Sequence, residues 1–283
     1  MVHEFDGRDL KLGRTLARNS AYTRFAASYR SGDLRISGVM IIPRGPGPFP
    51  VVVLAHGYID PDIYVSGQGF RREQDALARR GFAVLHVDYR NHAASDQDPA
   101  NGSGMRMGYA VDVVNAAMAV RTSRIPRIDT ARVGLLGRSM GGGVGLAALV
   151  MKPEAFDAAV FYASTSSDPV DNFNRWMRAD PQVAASIIKR WGDPRRDRRA
   201  WDEITPRRYF SRITAPVLMI HGMSDDSCPV SWARATQRSL LAAGVRSTLK
   251  EYPGEGHYML AAWPDSMRRS ADFLTTYLRQ PGA

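Results

Sequence analysis

Five short apolar runs constrain this chain more than any other feature. Residues 51–55, 83–87, 132–136, 158–163 and 217–220 are mainly apolar, interrupted only by His86 and the leading Arg132, rather than alternating, which is the pattern of strands covered on both faces. Helical spacing follows several of them, at 70–80 closed by Gly81, at 107–121, at 232–243 and at 267–278. Parallel neighbours need a crossover connection, so strands alternating with helices predict a parallel sheet covered on both faces. A further strand is expected at 247–251. Ahead of this series, 22–29 and 34–42 alternate apolar and polar residues across Ser31-Gly32-Asp33 and read as a hairpin on one edge of the sheet. The expected architecture is α/β: a doubly wound, mostly parallel sheet in one domain spanning 1–283.

Composition narrows the functional classes. Hydrophobic residues make up 44% and charged residues 23%, as in a soluble globular chain and unlike a disordered or coiled-coil one. No apolar run approaches the ~18 residues that cross a bilayer, so no membrane span is expected. Residues 1–18 are charged and carry no apolar h-region, so no signal peptide is expected in the chain as written, and a chain whose signal had been removed would read the same. A single cysteine, Cys228, excludes a disulfide framework and a zinc site built on paired thiolates. It reads as a packed loop residue. The net charge is +10, but 34 arginines and 4 lysines are scattered along the chain instead of clustering with stacking aromatics. Nucleic acid is therefore not an expected partner.

One segment breaks the strand and helix rhythm. Residues 164–212 have no strong strand pattern and contain Trp176, Trp191 and Trp201, three of the five tryptophans. Long excursions inside compact domains are often lids or binding loops, so a small helical lid inserted between two strands is expected. A longer crossover is the alternative. Trp176 and Trp191 are candidates for the substrate pocket, since such pockets are mostly apolar, while Trp201 reads as an anchor.

Gly137-Arg138-Ser139-Met140-Gly141 directly follows the strand at 133–136 and opens a small-residue helix at 142–151. A G-x-S-x-G sequence in that setting is a nucleophile elbow, with glycines where the turn is too tight for a Cβ. A serine hydroxyl is a weak nucleophile near neutral pH and needs a base oriented by a carboxylate. In this fold these residues follow the serine in the order acid, then histidine. Two histidines lie beyond Ser139. His221 ends a strand and reads as structural, whereas His257 sits in Gly254-Glu255-Gly256-His257, a loop from which a base can reach the serine. For the acid, Asp225 and Asp226 both follow the strand at 217–220, the spacing favours Asp225, and Asp168 is a third choice with helix capping as its alternative role. The oxyanion hole needs two backbone N–H groups, expected from Met140 and from Tyr58 in the turn His56-Gly57-Tyr58. The Tyr58 ring is also a candidate pocket wall, and His56 reads as structural.

With these residues in view, the sequence resembles the α/β-hydrolase superfamily, and within it the prolyl oligopeptidase (S9) and dienelactone hydrolase branch. The resemblance rests on Leu54-Ala55-His56-Gly57-Tyr58, Val87-Asp88-Tyr89-Arg90, Gly137-Arg138-Ser139-Met140-Gly141-Gly142, the run from Ala215 to Asp225, and Gly256-His257. It implies an eight-stranded sheet and a triad of Ser139, Asp225 and His257. Dienelactone hydrolases use cysteine where this chain has Ser139. Prolyl oligopeptidases usually carry a β-propeller, and only about fifty residues precede Val51, which weighs against a peptidase. Ser139-Met140-Gly141-Gly142-Gly143 also resembles cutinase-like polyester hydrolases, although His56-Gly57 fits the first branch better. The expectation is a serine hydrolase acting on carboxylic esters without metal or cofactor, with small amides or peptides as the nearest alternative substrates.

Overall fold

The computed structural model describes residues 5–278. His3 and the rest of residues 1–4 lie outside the described residues, as do 279–283. Three strands come first: β1 (Arg8–Arg18), β2 (Tyr22–Ser31) and β3 (Leu34–Pro43). The α/β series follows: β4 (Phe49–Ala55), α1 (Arg71–Arg79), β5 (Ala83–Val87), α2 (Met107–Arg121), β6 (Ile128–Arg138), α3 (Met140–Met151) and β7 (Ala158–Tyr162). Short helices α4 (Pro169–Asn172), α5 (Pro181–Trp191) and α6 (Arg199–Glu203) lead to β8 (Val217–Gly222), α7 (Val230–Ala242), β9 (Ser247–Tyr252) and α8 (Trp263–Leu278).

The strands form one sheet in the order β1-β2-β3-β5-β4-β6-β7-β8-β9. Pairing is antiparallel from β1 through β3 to β5 and parallel across the rest. The sheet therefore has nine strands, not the eight that the resemblance implies. The additional strand is β1, whose sequence RDLKLGRTLAR buries only Leu10 and pairs with β2 through repeated register shifts. A charged, irregular edge strand resists pairing with another chain and has no buried face to leave an apolar pattern. The hairpin β2–β3 does form, with Ser31 opposite Leu34 across Gly32-Asp33 and Gly32 at φ +60°. It lies one strand in from the edge, because β1 flanks it.

Strand periodicity divides the core between the two faces of the sheet. On β4, Val51, Val53 and Ala55 point into one cluster with the buried side chains of α2, α3 and α7. Val52 and Leu54 point into the other, against Leu77 of α1 and Met267, Ala271 and Leu274 of α8. Every one of the five β4 side chains is fully buried, each contributing about 1–3 kcal/mol of apolar burial. These two layers fix the carboxyl ends of β4, β6, β7 and β8 along one rim, where ligands bind in open α/β sheets.

Residues between β7 and β8 build a small core of their own from Val170, Phe173, Met177, Ala184, Ile187 and Trp201. Asp168 and Asp180 cap α4 and α5, each followed by proline in the first turn. Trp201 is fully buried, packs 5.1 Å from the Phe173 ring and donates its indole N–H to the Gly192 carbonyl at 3.0 Å. Among the described residues no helix is long and apolar enough to cross a membrane.

Candidate active site

Ser139 occupies the turn between β6 and α3 with φ 57° and ψ −123°. A non-glycine residue there is strained, and such a conformation persists only when its surroundings over-determine it. Here they do. The Ser139 N–H donates to the Tyr162 carbonyl at 2.9 Å, and the Ser139 carbonyl accepts from Gly142 at 2.9 Å, Thr165 at 3.1 Å and Gly143 at 3.3 Å. Gly141 packs directly on the Ala55 and His56 carbonyls at the end of β4, and Gly137 packs on the Gly141 carbonyl. A methyl group at either position would collide with backbone.

The turn after β4 lies against the same serine, since a Cβ on Gly57 would stand 3.2 Å from the Ser139 Cβ. Neither the Met140 nor the Tyr58 amide donates to a protein acceptor among the described residues. Buried His56 braces this turn: its Nδ1 is 2.6 Å from the Gly57 carbonyl, its carbonyl accepts from the Tyr89 hydroxyl at 3.0 Å, and its ring stacks on Tyr64 at 4.7 Å. Burial pushes His56 down to about 3, so it is a neutral structural group at any working pH. Behind it, buried Asp88 accepts from Ser37 at 2.7 Å, Ser66 at 2.6 Å, Tyr64 at 2.8 Å and the Gly67 amide at 3.0 Å. Gln74 lies 3.0 Å from Nδ1 of His86, whose Nε2 is 3.1 Å from the Tyr64 hydroxyl. This polar network ties the 56–70 loop to the sheet.

Asp225 follows β8 with its side chain fully buried. Its Oδ1 accepts from the Ser227 amide at 2.9 Å and the Cys228 amide at 2.8 Å, and its Oδ2 lies 2.9 Å from His257 Nδ1. His221 Nε2 is 3.4 Å from the same Oδ2 but 2.8 Å from the Cys228 carbonyl, so His221 holds the loop. Burial alone would raise the Asp225 pKa. The hydrogen bonds from His221, His257 and the Cys228 amide outweigh it and hold the carboxylate well below its ordinary range. His257 is carried by the loop after β9, which packs the Glu255 and Gly256 carbonyls against Gly222. Cys228 is buried, and burial together with the Asp225 charge pushes its thiol up to about 12, which disfavours the nucleophilic thiolate.

The other acid candidates lie elsewhere. Asp226 is exposed and offers only its carbonyl, to Arg175 at 2.5 Å. Asp168 caps Val170 at 3.0 Å and is paired with Arg198 at 2.8 Å and with Arg207.

Ser139, Met140, His257 and Tyr58 line one cavity of about 940 Å³ under the segment between β7 and β8. Trp176 lines it too, edge-on to Trp232 at 5.6 Å. Trp191 does not. Its indole N–H donates to the Ser103 carbonyl at 2.9 Å, which ties the end of α5 to the loop before α2 and turns the ring to a structural use. Sequence reading also missed two cavity arginines, Arg106 and Arg138. A cation at the start of a helix opposes the helix dipole, so Arg106 just ahead of 107–121 was a usable signal. Arg138, inside the elbow motif, carried none.

Residues 68–281 match the sequence model of the prolyl oligopeptidase family. The chain belongs to that family. It is 28% identical over 250 residues to dipeptidyl aminopeptidase BIII of Pseudoxanthomonas mexicana, covering 84% of this chain and 34% of that protein. It is 26% identical over 260 residues to the acylamino-acid-releasing enzyme of Rattus norvegicus, covering 87% of this chain and 34% of that one. This member of the family thus spans about a third of the length of these relatives. The crystal structure of acetyl xylan esterase 1 from Thermoanaerobacterium aligns with a TM-score of 0.70 at 20% identity, over 96% of this chain and 89% of that chain. At that identity the likeness is one of fold.

The depressed Asp225 carboxylate makes a prediction about acid stability. A carboxylate held below its ordinary value stabilises the fold above its unfolded pKa, near ~4, and loses that contribution as pH falls toward the folded value. The difference in urea midpoint between wild type and Asp225→Asn is expected to be full at pH 6 and to narrow progressively below about pH 4. A difference that holds constant or widens on acidification would contradict the ionised, hydrogen-bonded state of Asp225.

Proposed function

We propose that the chain is a serine hydrolase that cleaves carboxylic esters through an acyl-enzyme intermediate. The observation that carries this reading is the 2.9 Å contact of His257 Nδ1 with buried Asp225, within the cavity that also holds Ser139. An ionised Asp225 accepts a hydrogen bond from Nδ1–H, which keeps the proton on Nδ1 and leaves Nε2 as the basic nitrogen toward the cavity. Ser139 Oγ attacks the ester carbonyl while Nε2 takes the hydroxyl proton. The negative charge on the carbonyl oxygen is held by the Met140 and Tyr58 amides. Collapse of the tetrahedral intermediate breaks the acyl–oxygen bond, and the His257 imidazolium gives its proton to the leaving alkoxide. Water, deprotonated by the same nitrogen, then attacks the acyl-enzyme and releases the carboxylic acid and free Ser139. Each oxyanion donor contributes on the order of 10²–10³ in rate.

A second reading, amide or peptide cleavage by the same residues, draws support from the peptidase names among the relatives. Charge in the cavity favours esters over substrates with a free amino terminus. Its one carboxylate among the described residues, Asp180, is engaged in capping α5 through the Gln182 and Val183 amides. Two arginines share the space with that single carboxylate, so a substrate ammonium meets a lining whose arginine and carboxylate charges sum to a positive value.

Ser139→Ala is expected to fold normally and to lose on the order of a millionfold in kcat, and a fluorophosphonate probe should label Ser139 alone. Asp225→Asn is expected to cost roughly 10⁴-fold and Asp226→Asn little. Labelling of a different residue, or comparable losses at both aspartates, would refute these assignments.

Trp176 forms a wall of the proposed acyl pocket and Trp191 lies outside it. Steady-state kinetics on 4-nitrophenyl esters of rising chain length should therefore show KM for long acyl groups raised by Trp176→Ala. With Trp191→Ala the chain-length preference should be unaltered and the melting temperature lower. Identical preference in wild type and Trp176→Ala would remove the tryptophan from the pocket.

A further inference from the structure

Arg106 is an arginine whose position is costly. It is the N-cap residue of α2, where its charge opposes the helix dipole. Both it and Met105 before it adopt left-handed backbone, at φ 60° and 54°, a conformation that non-glycine side chains disfavour. The guanidinium is held against the side chains of both residues whose amides are the expected oxyanion donors, 4.6 Å over the Tyr58 ring and with Nη1 3.5 Å from the Met140 sulfur. No carboxylate pairs with it among the described residues. The thioether is a weak acceptor and is the only one the guanidinium meets among the described residues, so the rest of its N–H edge has no protein partner. That edge is the part that grips a carboxylate in bidentate fashion. Arg138, the other cation of the cavity, is already committed to Glu73 at 3.4 Å and to the Gly69 carbonyl. Two unfavourable placements at consecutive residues, for a cation left without a protein partner in the catalytic cavity, imply that the partner arrives with the substrate.

We propose that Arg106 is the anion-recognition residue of this site, and that the substrate carries a carboxylate or comparable oxyanion close to the scissile carbonyl. The proposal rests on the hydrolase reading above and specifies its substrate class. A carboxylate enters on either side of the ester, and the chemistry that recognises it is the same: a charge-assisted, paired hydrogen bond in a largely apolar cavity.

The test uses the full chain and two pairs of probes. The 4-nitrophenyl monoester of adipic acid against 4-nitrophenyl hexanoate places the charge on the acyl side. 4-Acetoxybenzoate against its methyl ester places it on the leaving group. The readout is the ratio of kcat/KM for the anionic probe to that for the neutral one. On one of the two pairs, Arg106→Gln is expected to lower this ratio about ten- to hundredfold, the range for a hydrogen bond to a charged group. Arg106→Lys should retain a large part of it. In wild type alone the ratio should fall as salt is raised, a measurement that does not depend on either variant folding. A ratio that is unaltered in Arg106→Gln on both pairs, or insensitive to salt in wild type, overturns the proposal while leaving the hydrolase reading intact. Turnover of neither pair above the level of Ser139→Ala overturns both.

Discussion

The approach of Gly141 to the carbonyls of Ala55 and His56 is the contact on which the site depends. It seats the start of α3 directly on the end of β4, which forces the chain leaving β6 into a turn that only a strained φ at Ser139 can make. The same contact brings the turn after β4 against Ser139, so that nucleophile and expected oxyanion donors are fixed by one packing event. Four hydrogen bonds to the Ser139 backbone lock the turn. The strain is thereby supported by the two-layered core instead of by the loops, which is how a costly local geometry survives in a marginally stable fold.

A second layer of support is polar and buried. The Tyr64 hydroxyl donates to Asp88 and thus accepts from His86 Nε2, so neutral His86 carries its proton there and takes the Gln74 amide proton on Nδ1. Burial holds His86 neutral, well below its ordinary value, in keeping with that pattern. Every member of this chain has its partner, which is what makes a buried polar network stabilising. Its effect is to anchor the loop from His56 to Phe70 from behind while the front face lines the cavity. The proposed triad, by contrast, draws its residues from the ends of β6, β8 and β9, whose parallel register brings their carboxyl ends to one rim.

What was legible in the sequence was what is local or ordered along the chain. The elbow is contiguous, so the strand, the tight turn at Ser139 and the helix could be expected without tertiary knowledge. Asp225 and His257, which the structure brings to 2.9 Å, are singled out by chain order, each on the loop after a strand, and the covered strands betray themselves by their mainly apolar runs. β1 was not legible, because its alternation at Leu10, Leu12 and Leu16 is broken by Arg14 and only Leu10 is buried. Trp191 was misjudged for a related reason. Its composition says apolar wall, but the side of α5 it occupies is set by a backbone carbonyl 88 residues away. The Asp88 network likewise joins residues 21 to 51 positions apart, a pairing that no spacing along the chain encodes.

The central claim is that Ser139, His257 and the amides of Met140 and Tyr58 converge on one reacting carbonyl. A crystal structure of the protein after phosphonylation by a fluorophosphonate tests it most directly, since the tetrahedral phosphonate mimics the reaction intermediate. The account predicts a phosphonyl oxygen within about 2.7–3.1 Å of both the Met140 and Tyr58 nitrogens, with His257 Nε2 on the Ser139 oxygen. A phosphonyl oxygen turned to solvent, or a His257 ring detached from Asp225 in the adduct, would contradict it.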